Sequence, residues 1–138
     1  MEATLRLPRS FDSQPHNRAR GRLGEDAATA WLERAGYRIL ARNVETPVGE
    51  IDIVARDGEW LCFVEVKARR SGQFGGAVAA VGPRKRRRLV RAAAMYLAEA
   101  KVGEQPVRFD VLGLQKDESE WRFHLVRDAF EAESLFLV

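Results

Sequence analysis

The chain has a single cysteine, Cys62, in 138 residues. One thiol excludes an internal disulfide framework and any zinc site built from several cysteines. Its expected place on an apolar strand face makes it a buried thiol rather than a nucleophile. A lone reduced thiol fits a cytoplasmic protein. Histidine is nearly as scarce, at two residues. His124 has no second histidine nearby, so it is read as packing or surface, and no zinc centre is expected. No window is long and apolar enough to span a membrane. The N-terminus lacks the contiguous apolar core of a secretory signal. Aromatic residues are only 9% of the chain and are scattered. That argues against a base-stacking platform, with Phe74 in a glycine-rich stretch as the one candidate.

What remains is the composition of an ordinary globular domain, 46% hydrophobic and 31% charged. The length suits one domain. A chain of this size buries about two-thirds of its unfolded surface, enough for an unassisted core. The formal net charge is only +3, and its distribution says more. Arg18, Arg20 and Arg22 precede the first expected helix. Arg84, Lys85, Arg86, Arg87, Arg88 and Arg91 form a dense block with no acid among them. A local basic block of this kind suits a polyanion, and nucleic acid is the expected partner.

Residues 1–19 carry Pro8, Pro15 and several small polar residues without a sustained period, and read as a disordered basic tail. A helix is expected from Gly21 to Ala35, with Ala28, Trp31, Leu32 and Ala35 as its apolar stripe. Gly36 stands where a left-handed terminating residue belongs. Tyr37 to Val44 reads as a strand, and Thr46-Pro47 as a turn. Ser71 to Gly82 reads as a glycine- and alanine-rich loop. A second helix starts near Pro83. Leu89, Ala92, Ala93, Tyr96, Leu97 and Ala100 form its stripe, and Gly103 follows its end. Strands are expected over Val107 to Leu114 and Trp121 to Val126, with a turn over Lys116 to Ser119. The order of helix, three strands, helix, two strands is that of a single-domain α/β sandwich with a mixed sheet of about five strands flanked by helices.

The most informative stretch runs from Gly49 to Lys67. It predicts a β-hairpin turning on Asp57-Gly58, a pair suited to a primed two-residue turn. Counting inward from Arg56 opposite Glu59 sets Ile53 against Cys62 and Ile51 against Val64 on one apolar face. The other face carries Asp52 opposite Phe63 and Glu50 opposite Glu65, with Lys67 one step beyond. Like charges facing each other on a sheet are destabilising. Grouped carboxylates therefore point to a bound cation or a large pKa shift. Asp52 and Glu65 are the expected metal ligands. Mg²⁺ is the expected cation and Mn²⁺ its substitute, because hard divalent ions take oxygen donors and keep several waters. Lys67 is the expected catalytic lysine, a compact positive charge beside that cation. Glu50 reads as a ligand or as a support for one. Lys85 points toward the buried side of its helix and either leans toward a phosphate of the bound polyanion or snorkels along its stem. Asp110, within an apolar strand, either buttresses this site or pairs with Arg108.

Asp52 followed at a distance by Glu65-Val66-Lys67 resembles the core motif of the PD-(D/E)xK nuclease superfamily. Gly21-Arg22-Leu23-Gly24-Glu25-Asp26-Ala27-Ala28, then Gly49-Glu50-Ile51-Asp52, then Phe63-Val64-Glu65-Val66-Lys67-Ala68-Arg69 together resemble the bacterial YraN family of endonuclease-like proteins. The resemblance runs from about Gly21 to the C-terminus. It implies a restriction-endonuclease-like domain over 20–138. It also implies a Mg²⁺-dependent endonuclease that hydrolyses phosphodiester bonds in DNA rather than RNA. With no recognition domain, selectivity for branches, flaps or junctions is expected over sequence specificity. By the same resemblance Glu25 would reach the metal cluster and the Val66 carbonyl would add a ligand. Arg22, Arg84, Lys85, Arg87, Arg88 and Arg91 would hold the nucleic-acid backbone. A homodimer is compatible, since the superfamily includes dimeric junction-resolving enzymes. The superfamily also includes members without catalysis. The alternative is therefore a catalytically silent nucleic-acid-binding module, or an interaction subunit docking a protein partner through its Leu135-Phe136-Leu137 tail.

Overall fold

The computed structural model describes residues 15–69, 80–117 and 120–132, with side chains from residue 24 onward except 69 and 117. Residues 1–14, the loop around Phe74, the Arg22 side chain and the Leu135-Phe136-Leu137 segment lie outside the described residues. Seven elements follow one another: α1 (Pro15–Arg34), β1 (Arg38–Thr46), β2 (Gly49–Asp57), β3 (Trp60–Arg69), α2 (Pro83–Ala100), β4 (Val107–Asp117) and β5 (Glu120–Val126). The five strands form one mixed sheet in chain order. β3 and β4 are parallel, joined across α2, and the other neighbours are antiparallel. A parallel pair needs such a crossover, and an antiparallel pair needs only a turn.

The two helices give the sheet two cores. Leu89, Ala92, Ala93 and Tyr96 of α2 pack with Val54, Leu61, Phe63, Phe109 and Phe130. Ala28 and Leu32 of α1 pack with Ile53, Ala55, Cys62, Val64, Leu112 and Leu114. β3 shows the alternation plainly, with Leu61 and Phe63 in one core and Cys62 and Val64 in the other. Cys62 is fully buried, and burial pushes its thiol up to about 12. It is therefore a core residue, as the strand pattern predicts.

Helix ends follow local chemistry. α1 stops before Gly36, whose φ of 100° suits glycine, and Tyr37 N–H bonds the Leu32 carbonyl at 2.9 Å. α1 begins at Pro15, six residues before the expected start at Gly21. Pro83 opens α2 as expected. Its end differs. Lys101 takes the left-handed conformation (φ 53°) and returns its N–H to the Leu97 carbonyl, two residues ahead of the expected Gly103.

The hairpin register differs from the expected one. Asp57 pairs with Trp60, Ala55 with Cys62, and Ile53 with Val64. The turn is thus Gly58-Glu59, with positive φ at Gly58 only. The reason lies at Asp57. Arg108 and Arg127 bond its Oδ2 at 2.7 and 3.2 Å, holding it in the strand and out of the turn. The slide is two residues, so faces are kept and partners change. Carried one step past Ile53↔Val64, this register sets Asp52, rather than Glu50, level with Glu65.

A second departure sits at Asp52 itself. Ile51 belongs to the α2 core and Ile53 to the α1 core, so the single apolar face expected for both is broken between them. Opposite this point, flanked by the Arg42↔Ile53 and Val44↔Ile51 pairs, Asn43 adopts φ 52°. Asparagine tolerates that conformation better than most residues.

Candidate active site

Asp52 sits half-buried where the strand changes face. Oδ2 accepts the Val66 N–H at 2.8 Å. Burial pushes the Asp52 carboxyl well up, and the Glu65 charge adds to this. The Val66 N–H opposes the shift, while Glu50 and a side-chain hydrogen bond with Glu65 raise it further. Asp52 and Glu65 therefore stand as neighbouring carboxylates, each acting on the other's surroundings. The Glu65 side chain is only 5% exposed, and its Oε1 receives Lys85 Nζ at 2.6 Å from the first turn of α2. The structure thus brings together Asp52, Glu65, Val66 and Lys85, with Glu50 close enough to act on Asp52.

Lys67 follows Glu65 by two residues and shares its strand face. It is half-buried, level with Gly113 of β4, and makes no ion pair among the described residues. An ammonium on the strand face that carries Glu65 can stabilise charge that develops on a ligand bound to that face.

Glu25 stands slightly apart. Asn43 Nδ2 donates to its Oε2 at 2.8 Å, and Arg42 Nη2 lies 3.7 Å from the same oxygen. Arg42 also bonds Asp26 at 2.7 Å. Among the described residues no three His, Cys, Asp or Glu side chains are grouped as a metal cluster. Glu25 is thus tied through Asn43 to the strand position facing Asp52. Sequence reasoning passed over Asn43 as one more strand residue. An asparagine within a run of strand formers was the available signal.

Asp110 lies in a different place from the buttress envisaged for it. It is fully buried, and its two oxygens accept Tyr37 Oη at 2.7 Å, Arg108 Nε at 2.8 Å, Arg108 Nη2 at 2.9 Å and the Asp128 N–H at 2.9 Å. Arg108 bonds Tyr37 Oη and Asp57 as well. This is the second of the two alternatives, pairing with Arg108, on the α1 face of the sheet and in a network that extends to Asp57 beside the hairpin turn. Tyr37, Asp57 and Arg127 were not expected in it.

The basic face of α2 meets the β1–β2 turn. Arg84, Arg87, Arg88 and Arg91 and the exposed Val48 line a cleft of about 290 Å³. Arg84, Arg87 and Arg88 make no ion pair among the described residues. Arg86 is turned elsewhere, donating to the Val81 carbonyl at 2.6 Å and lying over the Phe130 ring.

A five-stranded mixed sheet between two helices, carrying a coupled carboxylate pair beside a basic helix, defines a single-domain α/β protein with a charged site on its sheet. No described helix is long and apolar enough to cross a membrane. Residues 24–114 match the family model described as "Uncharacterised protein family UPF0102". A UPF0102 protein of Syntrophus aciditrophicus is 46% identical over 111 residues, covering 80% of this chain and 87% of that one. One of Desulforapulum autotrophicum is 43% identical over 113 residues, covering 82% and 93%. One of Syntrophotalea carbinolica is 50% identical over 102 residues, covering 72% and 83%. The chain belongs to the UPF0102 family.

Proposed function

We propose that this protein is a Mg²⁺-dependent nuclease that hydrolyses phosphodiester bonds in DNA and selects its substrate by structure. The observation that carries the reading is the coupled Asp52–Glu65 pair, held together at a cost in a half-buried position. Natural sequences keep such a cost where a bound group repays it. The resemblance of the three sequence blocks to PD-(D/E)xK nucleases adds support.

The donor set fits a small hard cation. Asp52 and Glu65 offer carboxylate oxygens and Val66 a backbone carbonyl, with no sulfur or imidazole among them. A cation bound there supplies charge neutralisation and an acidified water. The chain's own groups do the rest. Asp52, with Oδ2 fixed by the Val66 N–H, and Glu65 define the binding position. Lys67 orients the attacking water and stabilises negative charge developing on the phosphorus centre. Lys85, paired with Glu65 only until the carboxylates are otherwise neutralised, is then free to meet a phosphate oxygen of the substrate. The arginines of α2 hold the strand through its phosphates.

The test is cleavage of labelled linear, flapped and four-way-junction DNAs with Mg²⁺, with Mn²⁺ and with chelator. RNA counterparts and the Lys67→Ala and Asp52→Ala proteins run alongside. Metal-dependent product from the wild type, lost in both folded variants, is expected. Product that persists in Lys67→Ala overturns the assignment of that lysine.

A second reading is a nucleic-acid-binding module without cleavage. It is favoured by the Lys85–Glu65 ion pair, which already neutralises one of the two carboxylates. Salt-steep binding with no product on any substrate selects it.

A further inference from the structure

The cleft between the β1–β2 turn and α2 has the construction of a binding site rather than that of a solvated helix face. The turn is rigid. Thr46 pairs with Gly49, and the Thr46 Oγ1 accepts the N–H groups of Gly49 and Val48 at 3.1 and 3.3 Å. The same hydroxyl donates to the Gly49 carbonyl at 2.6 Å. This pins Val48 against the arginine face, where an apolar side chain has no charge to offer and no water to gain.

Gly49 makes the close approach possible. Its φ of 152° disfavours any L side chain. A Cβ there would stand 2.7 and 2.8 Å from Cγ and Cδ of Arg88. The absence of one side chain therefore seats another, and Arg88 is stacked against the turn. Arg84, Arg87 and Arg88, which make no ion pair among the described residues, gather with Arg91 around one cleft, and none of the described residues lining it is acidic. An anion of high charge density suits such a gathering of like charges.

We propose that this cleft binds a phosphate group of a nucleic-acid strand, next to the bond held at the Asp52–Glu65 pair. Guanidinium forks match phosphate oxygens in pairs, and Val48 forms the apolar wall for the attached sugar. The proposal rests on the nuclease reading for its second half only. Gly49 lies three residues before Asp52 on the same strand, roughly 10 Å away at strand spacing. The cleft and the carboxylate pair thus lie in series along one path, and a strand seated in the first passes the second. An acidic peptide would bring its own carboxylates up to Glu50, Asp52 and Glu65, which is why phosphate is the favoured anion.

The discriminating variant is Gly49→Ala, which removes no charge and displaces Arg88. Binding of short labelled oligonucleotides to the full chain is measured by anisotropy in chelator, where no cleavage intervenes, across a salt series. The expected loss is on the order of tenfold, the worth of one charge-assisted contact, with the salt slope reduced by about 1. Because Gly49→Ala can fail to fold, Arg88→Gln is compared with Lys101→Gln, which removes one charge from the exposed far end of the same helix. A much larger loss for Arg88→Gln is expected. Equal losses, or a folded Gly49→Ala that binds like the wild type, overturn the proposal.

Oligonucleotides with a 5′-phosphate and with a 5′-hydroxyl distinguish the two sources of the anion. A gain with the phosphate assigns the cleft to a strand end, and equal binding assigns it to an internal phosphodiester. Displacement by polyglutamate as effective as displacement by polyphosphate overturns the choice of phosphate. Absence of cleavage by the wild type with Mg²⁺ defeats the nuclease reading and leaves these binding results intact.

Discussion

Two aspartates on this sheet, Asp110 fully buried and Asp52 half-buried, meet opposite fates. Asp110 anchors a network that reaches the hairpin-turn end through Arg108 and Asp57, and a guanidinium, a phenol and a backbone amide turn toward its two oxygens. Asp52 lies toward the other end. It has one backbone donor and, as its nearest charged neighbour, another carboxylate. Asp57, which Arg108 ties to this network, is five residues and roughly 17 Å of strand from Asp52 at ~3.4 Å each, whereas Asp110 itself is level with Val64 and Ile53 and is set apart from Asp52 by the sheet, on its α1 face. The fold therefore knows how to satisfy a buried carboxylate and does so where structure is all that is required. At Asp52 it leaves the work unfinished. There the charged neighbour has the same sign, and a bound cation would offset the repulsion that Arg108 offsets at Asp110.

The largest expected effect breaks the satisfied end. Asp110→Ala leaves Arg108 buried, with Asp57 and Tyr37 as its remaining hydrogen-bond partners among the described residues. Removing one member of a buried ion pair costs about 3–5 kcal/mol. Denaturant unfolding measures it, and a loss under about 1 kcal/mol would place this network among dispensable surface pairs.

Asp52→Asn should do the reverse at the other end. Removing a charge that burial and Glu65 both oppose stabilises the fold by about 1 kcal/mol, as substitutions at strained functional sites commonly do. It also removes the metal-dependent rise in Tm that Mg²⁺ or Mn²⁺ should produce in the wild type. A destabilised Asp52→Asn protein would mean the carboxylate is structural, like that of Asp110.

The pH dependence separates the two ends by sign. The Asp57 carboxyl is held below its ordinary value, chiefly by the hydrogen bond from Arg108. Its stabilising contribution is therefore present above the unfolded pKa and is lost as pH falls toward the folded one. The Asp52 carboxyl is raised, first by burial. The folded protein holds its proton more tightly, so its contribution worsens as pH rises from the unfolded value through the folded one. The stability gain of Asp52→Asn should accordingly be present at neutral pH and vanish in acid. The cost of Asp57→Asn should likewise shrink in acid. Unfolding curves of wild type and both variants over pH 3 to 8, roughly the range in which carboxylates of either kind titrate, check both signs.

Much of this was legible in the residues because local chemistry and tertiary packing agree there. Gly36 and Pro83 bound their helices as expected, the α2 stripe through Leu89, Ala92, Ala93 and Tyr96 is buried, and Cys62 is in a core. The hairpin register was not legible, because Asp57-Gly58 is a good turn by itself. Only partners far along the chain, Arg108 and Arg127, pull Asp57 back into the strand. The face change at Asp52 was hidden for a similar reason, since it is matched across the sheet by the left-handed Asn43 and not by a neighbour in sequence. Asp110 showed itself as an acid among apolar residues but carried no sign of which end of the sheet it would serve.

The smallest expected effect on stability tests how the unfinished end is kept folded before its ligand arrives. Lys85 lies in the first turn of α2, where the helix dipole disfavours a cation, and its side chain is 47% exposed. Its pairing with Glu65 is therefore worth little, on the order of a few tenths of a kcal/mol after solvent screening. Lys85→Ala should shift Tm only slightly. In Mn²⁺ titration calorimetry the same variant should bind the metal more tightly than the wild type, because no ammonium has to be displaced from Glu65 first. A plain structural ion pair predicts the opposite combination, a clear drop in Tm with unchanged metal affinity. The contrast matters because it separates two ways of tolerating paired carboxylates. One is a permanent counter-ion, as Arg108 is for Asp110, and the other is a placeholder that gives way when the cation arrives.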